Sequence, residues 1–410
     1  MTTGVVLWLW LAGGFGLASP DDVSATLDRL GDADLVLMND PAGARPVRVL
    51  LATKVSAPVE TLRRVLTDAT SYRKAMPAFR RTDIVSRRTR PDGLQDLQIA
   101  WELEVPAWNL TGRLWLHPQE QGVDLELADG DFSPGIFHLR AIPSSSSSMG
   151  AADKSAAGGQ SVLIIDGHAN LGEANWAIRK LVHRSLLVEP AMTVAAAYVM
   201  LKALAGLAER GSPARSKAGM TAVDASSLDG SAAGRAAKAR TIQPKVLAAV
   251  RSRADGRLAR VEVAVPLGAA PEDASGKSLH PESFRELPGW KKVTPSGVCF
   301  EECKEPAATC WTVETNFPFF TLGGTWRLSP QPWRARMVAG ETKGAVLGLD
   351  FVPGQTRGRS TLVVSQHPRL DQAGYFPRKL IAAEPLLEHG MALALTIVEA
   401  VSLAPALEGQ

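Results

Sequence analysis

The chain runs through one order of motifs twice, and an internal repeat restricts the fold more than composition does, because each copy has to close the same core. Leu163-Ile164-Ile165-Asp166-Gly167-His168 is answered by Leu362-Val363-Val364-Ser365-Gln366-His367. Arg179-Lys180-Leu181-Val182 is answered by Arg378-Lys379-Leu380-Ile381, and Glu189 and Met192 by Glu388 and Met391. Upstream, Trp101-Glu102-Leu103-Glu104 followed by Gly112-Arg113-Leu114-Trp115 faces Trp311-Thr312-Val313-Glu314 followed by Gly324-Thr325-Trp326. Earlier still, Val55-Ser56-Ala57-Pro58 faces Leu267-Gly268-Ala269-Ala270-Pro271. The spacing drifts because each copy has its own insertions. The sequence therefore predicts two domains, at 45–210 and 244–410, the second more divergent; a 410-residue chain is also longer than one core usually organises.

Residues 211–243 are rich in Ala, Gly, Ser, Lys and Arg with almost no large apolar side chain, the composition of a flexible linker. Ser144 to Gly159, with five consecutive serines, reads as a long hairpin loop inside the first copy. Within each copy a strand (Val49 to Val55; Val261 to Leu267) leads to a short helical stretch, Pro58 to Asp68 in the first. Alternating segments follow at Leu97–Glu104, Leu110–Leu116, Val123–Leu127, Phe137–Ile142 and Val162–Ala169. Each copy closes with a long apolar helix, about Asn175 to Glu209 and about Phe376 to Leu403, with Pro190 and Pro385 placed to kink or split them. Strand, helix, antiparallel strands and a long helix make an α+β fold.

The first twenty residues carry no charged side chain, and Gly16-Leu17-Ala18 has small residues at −3 and −1 of a signal-peptidase site. Residues 1–18 read as a cleaved export signal, with a membrane anchor as the alternative; about 15 apolar residues fall short of the roughly 20 that span a bilayer. No further stretch is read as a membrane span. Export permits a disulfide among Cys299, Cys303 and Cys310, and the spacing matches no standard zinc template. A formal charge of +3 and the lack of a basic run interleaved with aromatics argue against nucleic acid.

Val55-Ser56-Ala57-Pro58-Val59-Glu60, then Val65-Leu66-Thr67-Asp68, Tyr72 and Met76-Pro77, is similar to the opening of START-like (SRPBCC) domains, which include polyketide cyclases and coenzyme Q-binding proteins. Gly130-Asp131-Phe132 with Phe137-His138-Leu139 resembles later strands of that superfamily. The resemblance covers about 47–209 well and about 258–405 loosely, since the second copy lacks the Thr-Asp and has Leu287-Pro288 for Met-Pro. It implies a helix-grip fold in each copy: a curved antiparallel sheet wrapped around the long C-terminal helix, with an apolar cavity between them.

Candidate ligand-binding residues follow. His168 and His367 hold equivalent places and are either polar groups in a pocket or strand-end histidines satisfying backbone. Trp101 or Trp115 in the first copy, and Trp311 or Trp326 in the second, line a cavity or pack the core; with Trp108 they cannot all share one face. Met192 and Met391 lie on the long helices. Glu189 and Glu388 are caps or inward carboxylates, while Arg179-Lys180 near Trp176, and Arg378-Lys379 near Tyr375, suit a solvated face or transient contact with a membrane surface.

No nucleophile elbow, phosphate-cradling loop, zincin helix or dinucleotide fingerprint is present. The sequence thus points to an exported, periplasmic binder or carrier of a lipid, quinone or isoprenoid-like molecule, requiring no cofactor or metal. Two alternatives stay open: a didomain polyketide aromatase/cyclase, for which His168 or Glu189 would be the inward polar groups, and a degenerate scaffold with filled pockets.

Overall fold

The computed structural model describes residues 18–39, 47–76, 79–105, 108–144, 159–171, 179, 187–211, 233, 246–278, 290–295, 309–316, 321–330, 333–354 and 356–408. The apolar leader to residue 17, the serine loop at 145–158, and Cys299 and Cys303 lie outside them.

Helix α1 (Pro20–Leu30) opens on Ser19, whose Oγ accepts the Asp22 N–H at 3.2 Å; Pro20 starts the first turn, with Asp21 and Asp22 beside it. It leads into β1 (Asp34–Met38) and β2 (Val49–Val55). Two short helices follow, α2 (Val59–Thr67) and α3 (Ala69–Ala75), the second capped by the Asp68 carboxylate on Thr70 N–H. The strands β3 (Phe79–Thr89), β4 (Gln95–Val105), β5 (Trp108–Gln119), β6 (Gly122–Gly130), β7 (Gly135–Pro143) and β8 (Ser161–Ala169) precede the long α4 (Val188–Arg210). The second half repeats the plan: β9 (Val246–Ser252), β10 (Leu258–Leu267), α5 (Pro271–Ser278), β11 (Trp290–Pro295), β12 (Thr309–Asn316), β13 (Thr321–Pro330), β14 (Trp333–Gly340), β15 (Val346–Pro353), β16 (Ser360–His367), a 3₁₀ turn (Leu370–Gln372), α6 (Tyr375–Ala383) and α7 (Leu386–Glu408).

All sixteen strands form one sheet in the order β11-β12-β13-β14-β15-β16-β10-β9-β1-β2-β8-β7-β6-β5-β4-β3. Read outward from its centre, each side has the same succession: β1, β2, β8 back to β3, and β9, β10, β16 back to β11. The sides meet where β1 pairs antiparallel with β9, Val36 opposite Ala248. The architecture is therefore α+β, a large antiparallel sheet with helices on it. Edge strand β3 is exposed along most of its length and carries Arg80, Arg81, Arg87 and Arg88; the other edge, β11, contains Lys291, Lys292 and Pro295.

Both faces of the sheet centre are apolar. On one face α4 lies on β2 and β8, α7 lies on β9, β10 and β16, and the two helices pack together. The core there joins Leu51, Leu163 and Ile165 to Val194 and Leu201, and Val263 and Val364 to Leu393 and Ile397. On the other face Val23, Leu27 and Leu30 of α1 cover Leu35, Leu37, Ala52, Ile164, Ala249 and Val363. Burying those three α1 side chains contributes roughly 1.5–3 kcal/mol each before chain entropy is subtracted. Ala233, inside the stretch expected to be a flexible linker, is fully buried in this second cluster and donates its N–H to Glu262 Oε2 at 2.8 Å. That stretch is anchored at this point.

By length and composition α4 and α7 are each apolar enough to cross a membrane, with mean hydropathy 1.7 and 1.8. Here they are core helices, apolar on several sides because sheet and neighbouring helix cover them. That corrects the reading that no segment beyond the leader passes such a test. Pro190 falls in the first turn of α4, and Pro385 separates α6 from α7, so neither α4 nor α7 is kinked by it.

One polar cluster ties the halves together. Asp34 on β1 accepts hydrogen bonds from Thr53 of β2 at 2.5 Å and Tyr198 of α4 at 2.6 Å, and Lys202 lies 3.1 Å away. His389 of α7 stacks on the Tyr198 ring at 6.2 Å and meets Ser252 Oγ of β9 at 3.1 Å through Nε2. Burial, with Asp34 beside it, raises the Tyr198 pKa well above the usual phenol value, so the hydroxyl remains a donor. Burial, then Lys202, lowers His389 to about 4 and keeps it neutral. Asp34→Ala strands Thr53, Tyr198 and Lys202, and a loss of about 3–5 kcal/mol is expected in denaturant unfolding, against less than about 1 kcal/mol for exposed Asp92→Ala.

Candidate functional site

Strand alternation decides which predicted residues can meet a ligand beneath the long helices. On β8, Leu163 and Ile165 belong to the helix-side core and Val162 and Ile164 to the α1-side core. His168 shares parity with Ile164, so it stands on the α1 face, where burial, then Arg48 and His138, lower its pKa. On β16 the same parity puts His367 with Val363, beside a buried Arg260–Glu262 ion pair of 2.5 Å and Ser365. Burial, then Arg369 and Arg253, lower His367 to about 4, and its Nδ1 has no hydrogen-bond partner. A cavity between sheet and long helix would have neither histidine on its wall. Both faces are apolar here, which is why hydrophobic pattern alone left the choice open.

Trp115 is also on the far face, stacked on His117 at 6.2 Å, while its neighbours Leu114 and Leu116 join the helix-side core. Trp101 faces the helices. Its ring meets Phe79 edge-on at 6.2 Å and Phe132 at 6.0 Å, in a cluster with Leu110, Leu171 and Met192 of α4 that is separate from the main core. Trp101 is 7% exposed, and its Nε1 has no hydrogen-bond partner. Trp311 and Trp326 sit directly opposite each other on β12 and β13, both half-buried against the helix-side core, as is Met391. The structure thus brings Trp101 to Met192 and Trp311 to Trp326, and sets Trp115, His168 and His367 apart.

The floor under these aromatics is built the same way in both halves. Gly112 pairs with Gly130 across β5–β6, and Gly324 with Gly340 across β13–β14, each pair next to a bulge (Arg113/Leu114; Thr325/Trp326). A Cβ on Gly112 would lie 2.6 Å from the Asp129 carbonyl oxygen and 2.7 Å from the Trp101 ring; on Gly324 it would lie 2.5 Å from the Ala339 carbonyl and 2.8 Å from Met337 sulfur. Gly130 and Gly340 have φ of +97° and +128°, conformations that β-carbons disfavour. Bulge and glycine together bend the sheet and let one large side chain fold over the gap. Aligned on these glycines, Trp326 corresponds to Leu114 rather than Trp115, and Trp311 to Ile99, so the two halves line their floors differently. Gly112→Val is expected to displace the Trp101 ring, seen as a red-shifted, more quenchable tryptophan emission, with a stability loss of about 2–4 kcal/mol in denaturant unfolding.

One flank of α4 meets the first of these floors. Met192 of α4 touches the Trp101 cluster, Met200 two turns on packs partly against the core, and Ala196 between them is exposed. On α7 the corresponding flank is Met391, Leu395, Glu399 and Ser402, all half-buried. Glu399 replaces Met200. It is a carboxylate within an apolar run from Gly390 to Ala404, a signal visible in the sequence and overlooked there. Its Oε2 and the Ser402 Oγ are closed to solvent without a hydrogen-bond partner, and burial alone raises its pKa to about 8.

Glu189 and Glu388 are structural ties. Glu189 accepts the buried Leu171 N–H at 3.0 Å, and Glu388, pushed up by burial, accepts from the Leu258 backbone. Beside Glu388 is a cleft of about 450 Å³ lined by Asp255, Arg257, Asp371, Arg378 and Ile381, one turn before Met391. Tyr375 is 71% exposed with Lys379 Nζ 5.7 Å from its ring centre. Arg179 and Arg378 are exposed as well. Cys310 is buried and disulfide-bonded, as expected from the sequence, its partner lying outside the described residues. Among the described residues no group of three metal-ligating side chains occurs.

No protein-family model and no curated protein matches the chain. Among solved structures it is similar to the di-domain aromatase/cyclase StfQ from the steffimycin biosynthetic pathway, at 11% identity and a TM-score of 0.26 over 86% of this chain and 97% of that one. It is also similar to a START superfamily protein from Mycobacterium smegmatis, at 19% identity and a TM-score of 0.28 over 40% of this chain and 99% of that one. A third is the Zhui aromatase/cyclase from a Streptomyces, at 14% identity and a TM-score of 0.27 over 36% of this chain and 92% of that one. These are proteins of the kind that the Val55–Pro77 run resembles; at such scores the likeness decides neither ligand nor activity, which rest on the residues.

Proposed function

We propose that the chain binds an apolar small molecule, of lipid, quinone or isoprenoid type, and that each half is a helix-grip unit holding it between the outer strands and the long helix. The observation that carries this reading is the pair of facing apolar surfaces in the first half. Trp101 and Phe132 form one wall, the Met192–Ala196–Met200 flank the other, and Ala196 stands exposed between two methionines. Methionine adapts to irregular ligands, and apolar burial of roughly 25 cal/mol per Å² supplies affinity without directional contacts. The domain limits 45–210 and 244–410 belong to the same proposal, the second half differing by Trp311, Trp326 and Glu399.

Native mass spectrometry of the purified chain is expected to show one or two co-purifying apolar molecules, identified after extraction. Ala196→Trp fills the first cavity and is expected to lower that number by one without loss of fold. A chain that is ligand-free in every preparation and takes up no vesicle lipid would overturn the reading, and turnover of the extracted molecule would shift it to the cyclase class. For location we propose export with cleavage after Ala18. The mature protein is then expected to begin at Ser19, the residue that caps α1, as read by N-terminal sequencing of the secreted product.

A further inference from the structure

The large apolar side chains left exposed among the described residues are few, and they are not scattered. Ile84, Val85 and Leu94, at 37%, 48% and 42% exposure, all belong to the hairpin of β3 and β4, and the fourth, Tyr375, is on α6. Ile84 stands opposite Ile99 on the edge strand, and Val85 is the extra residue of a bulge between Ile84 and Ser86. Leu94 closes the turn, its carbonyl accepting the Arg90 N–H at 2.8 Å. The open end of the hairpin adjoins α6, since the charge of Lys379, beside Tyr375, acts on Glu104, the ion-pair partner of Arg80.

The same hairpin concentrates positive charge. Residues 79–95 hold five arginines and two aspartates, an excess of three that equals the formal net charge of the whole chain, so the remainder balances to zero. Arg80 is paired with Glu104 at 2.5 Å, Arg81 with Asp83, and Arg90 with Asp92 and Asp96 at 3.6 and 3.4 Å. Arg87 and Arg88 are exposed and have no ion-pair partner among the described residues. Charge alone protects a sheet edge from a further strand. It does not account for Ile84 and Val85 between the arginine pairs, where polar side chains would protect the edge better. A second copy of the chain is a poor cover, because antiparallel pairing of two such strands centred on Ile84 sets Arg80 against Arg88 and Arg81 against Arg87. A soluble polyanion matches the arginines and leaves the apolar side chains in water. An anionic bilayer surface answers both: its headgroups meet the guanidinium groups, and the layer beneath them takes the apolar side chains.

We propose that the edge hairpin of residues 79–95 docks the chain on an anionic lipid surface, with Arg87 and Arg88 meeting the headgroups and Val85 and Leu94 entering the interface. As the outermost strand, β3 has no neighbour on its other side, so the approach is edge-on. Its outer backbone N–H and C=O groups then stay in the hydrated headgroup layer and not in hydrocarbon, where they would be left unsatisfied. Each arginine near an anionic surface strengthens binding by about fivefold. Salt screens that part and spares the apolar part. Phe79, the first residue of the hairpin, packs edge-on against Trp101 and ties the docking edge to the candidate site. The docking inference does not itself rest on the apolar-ligand reading.

The test is co-sedimentation of the full chain with vesicles of phosphatidylcholine, alone or with phosphatidylglycerol as about one lipid in three. The chain is expected to pellet with the anionic vesicles at low salt, and to stay in solution with phosphatidylcholine alone or at high salt. Arg87→Gln with Arg88→Gln is expected to weaken that binding about 25-fold, and Arg87→Lys with Arg88→Lys to retain it. Val85→Ser with Leu94→Ser is expected to weaken it about tenfold without changing its salt dependence. All four positions are exposed, and an unchanged denaturant midpoint verifies that each variant keeps its fold. Equal binding to both kinds of vesicle, binding to neither, or binding unmoved by either the glutamine or the serine pair overturns the inference. Retention on heparin without vesicle binding also overturns it, and assigns the patch to a soluble polyanion.

Discussion

A sheet edge is a row of unpaired N–H and C=O groups, and each half of this chain would present one at its inner strand. The antiparallel pairing of β1 with β9 removes both at once, and much else follows from it. With those strands in the interior, apolar side chains are required on both faces of the centre, and both faces have to be covered. The long helices cover one face, and α1 with Ala233 covers the other. The Asp34 cluster is the polar counterpart of this joint, drawing on β1, β2, β9 and both long helices. Outward from the joint the constraint relaxes: the strands bend at the glycine pairs and the helices no longer cover them fully.

The halves keep the same glycine pairs and change the side chains around them. Gly112–Gly130 and Gly324–Gly340 occupy the same register, yet an indole covers one pair and a thioether the other. The tryptophans of the second half sit on positions that the first half gives to Ile99 and Leu114. A shared scaffold with unlike side chains is the expected result when folding constrains the backbone more than the lining.

Much of this organisation is legible in the sequence. The repeat, the helix at Pro58–Asp68, most strands of the first copy and the two long apolar helices are written in residue periodicity. The strands at the joint are not: Asp34–Met38 and Val246–Ser252 are short and buried on both faces, so they carry no alternation, and β1 falls in front of the expected first domain. Matching Trp326 with Trp115 is a slip of one residue, and in a strand one residue is the difference between the two faces. The histidines illustrate the same limit. Val162 and Leu163 are equally apolar, so nothing in the pattern says which faces the long helices. Glu399 is legible as an acid inside an otherwise apolar helix.

The two edges that remain after the halves join are of another kind. β3 displays Arg80, Arg81, Arg87 and Arg88 along an exposed strand, and β11 has Lys291, Lys292 and Pro295. Like charges resist a further strand alongside, and proline offers no N–H to one. The inner strands are satisfied by each other, while the outer strands carry the charge. The antiparallel joint at β1–β9 thus spends the chain's most apolar strand edges on each other and leaves charged ones at the rim.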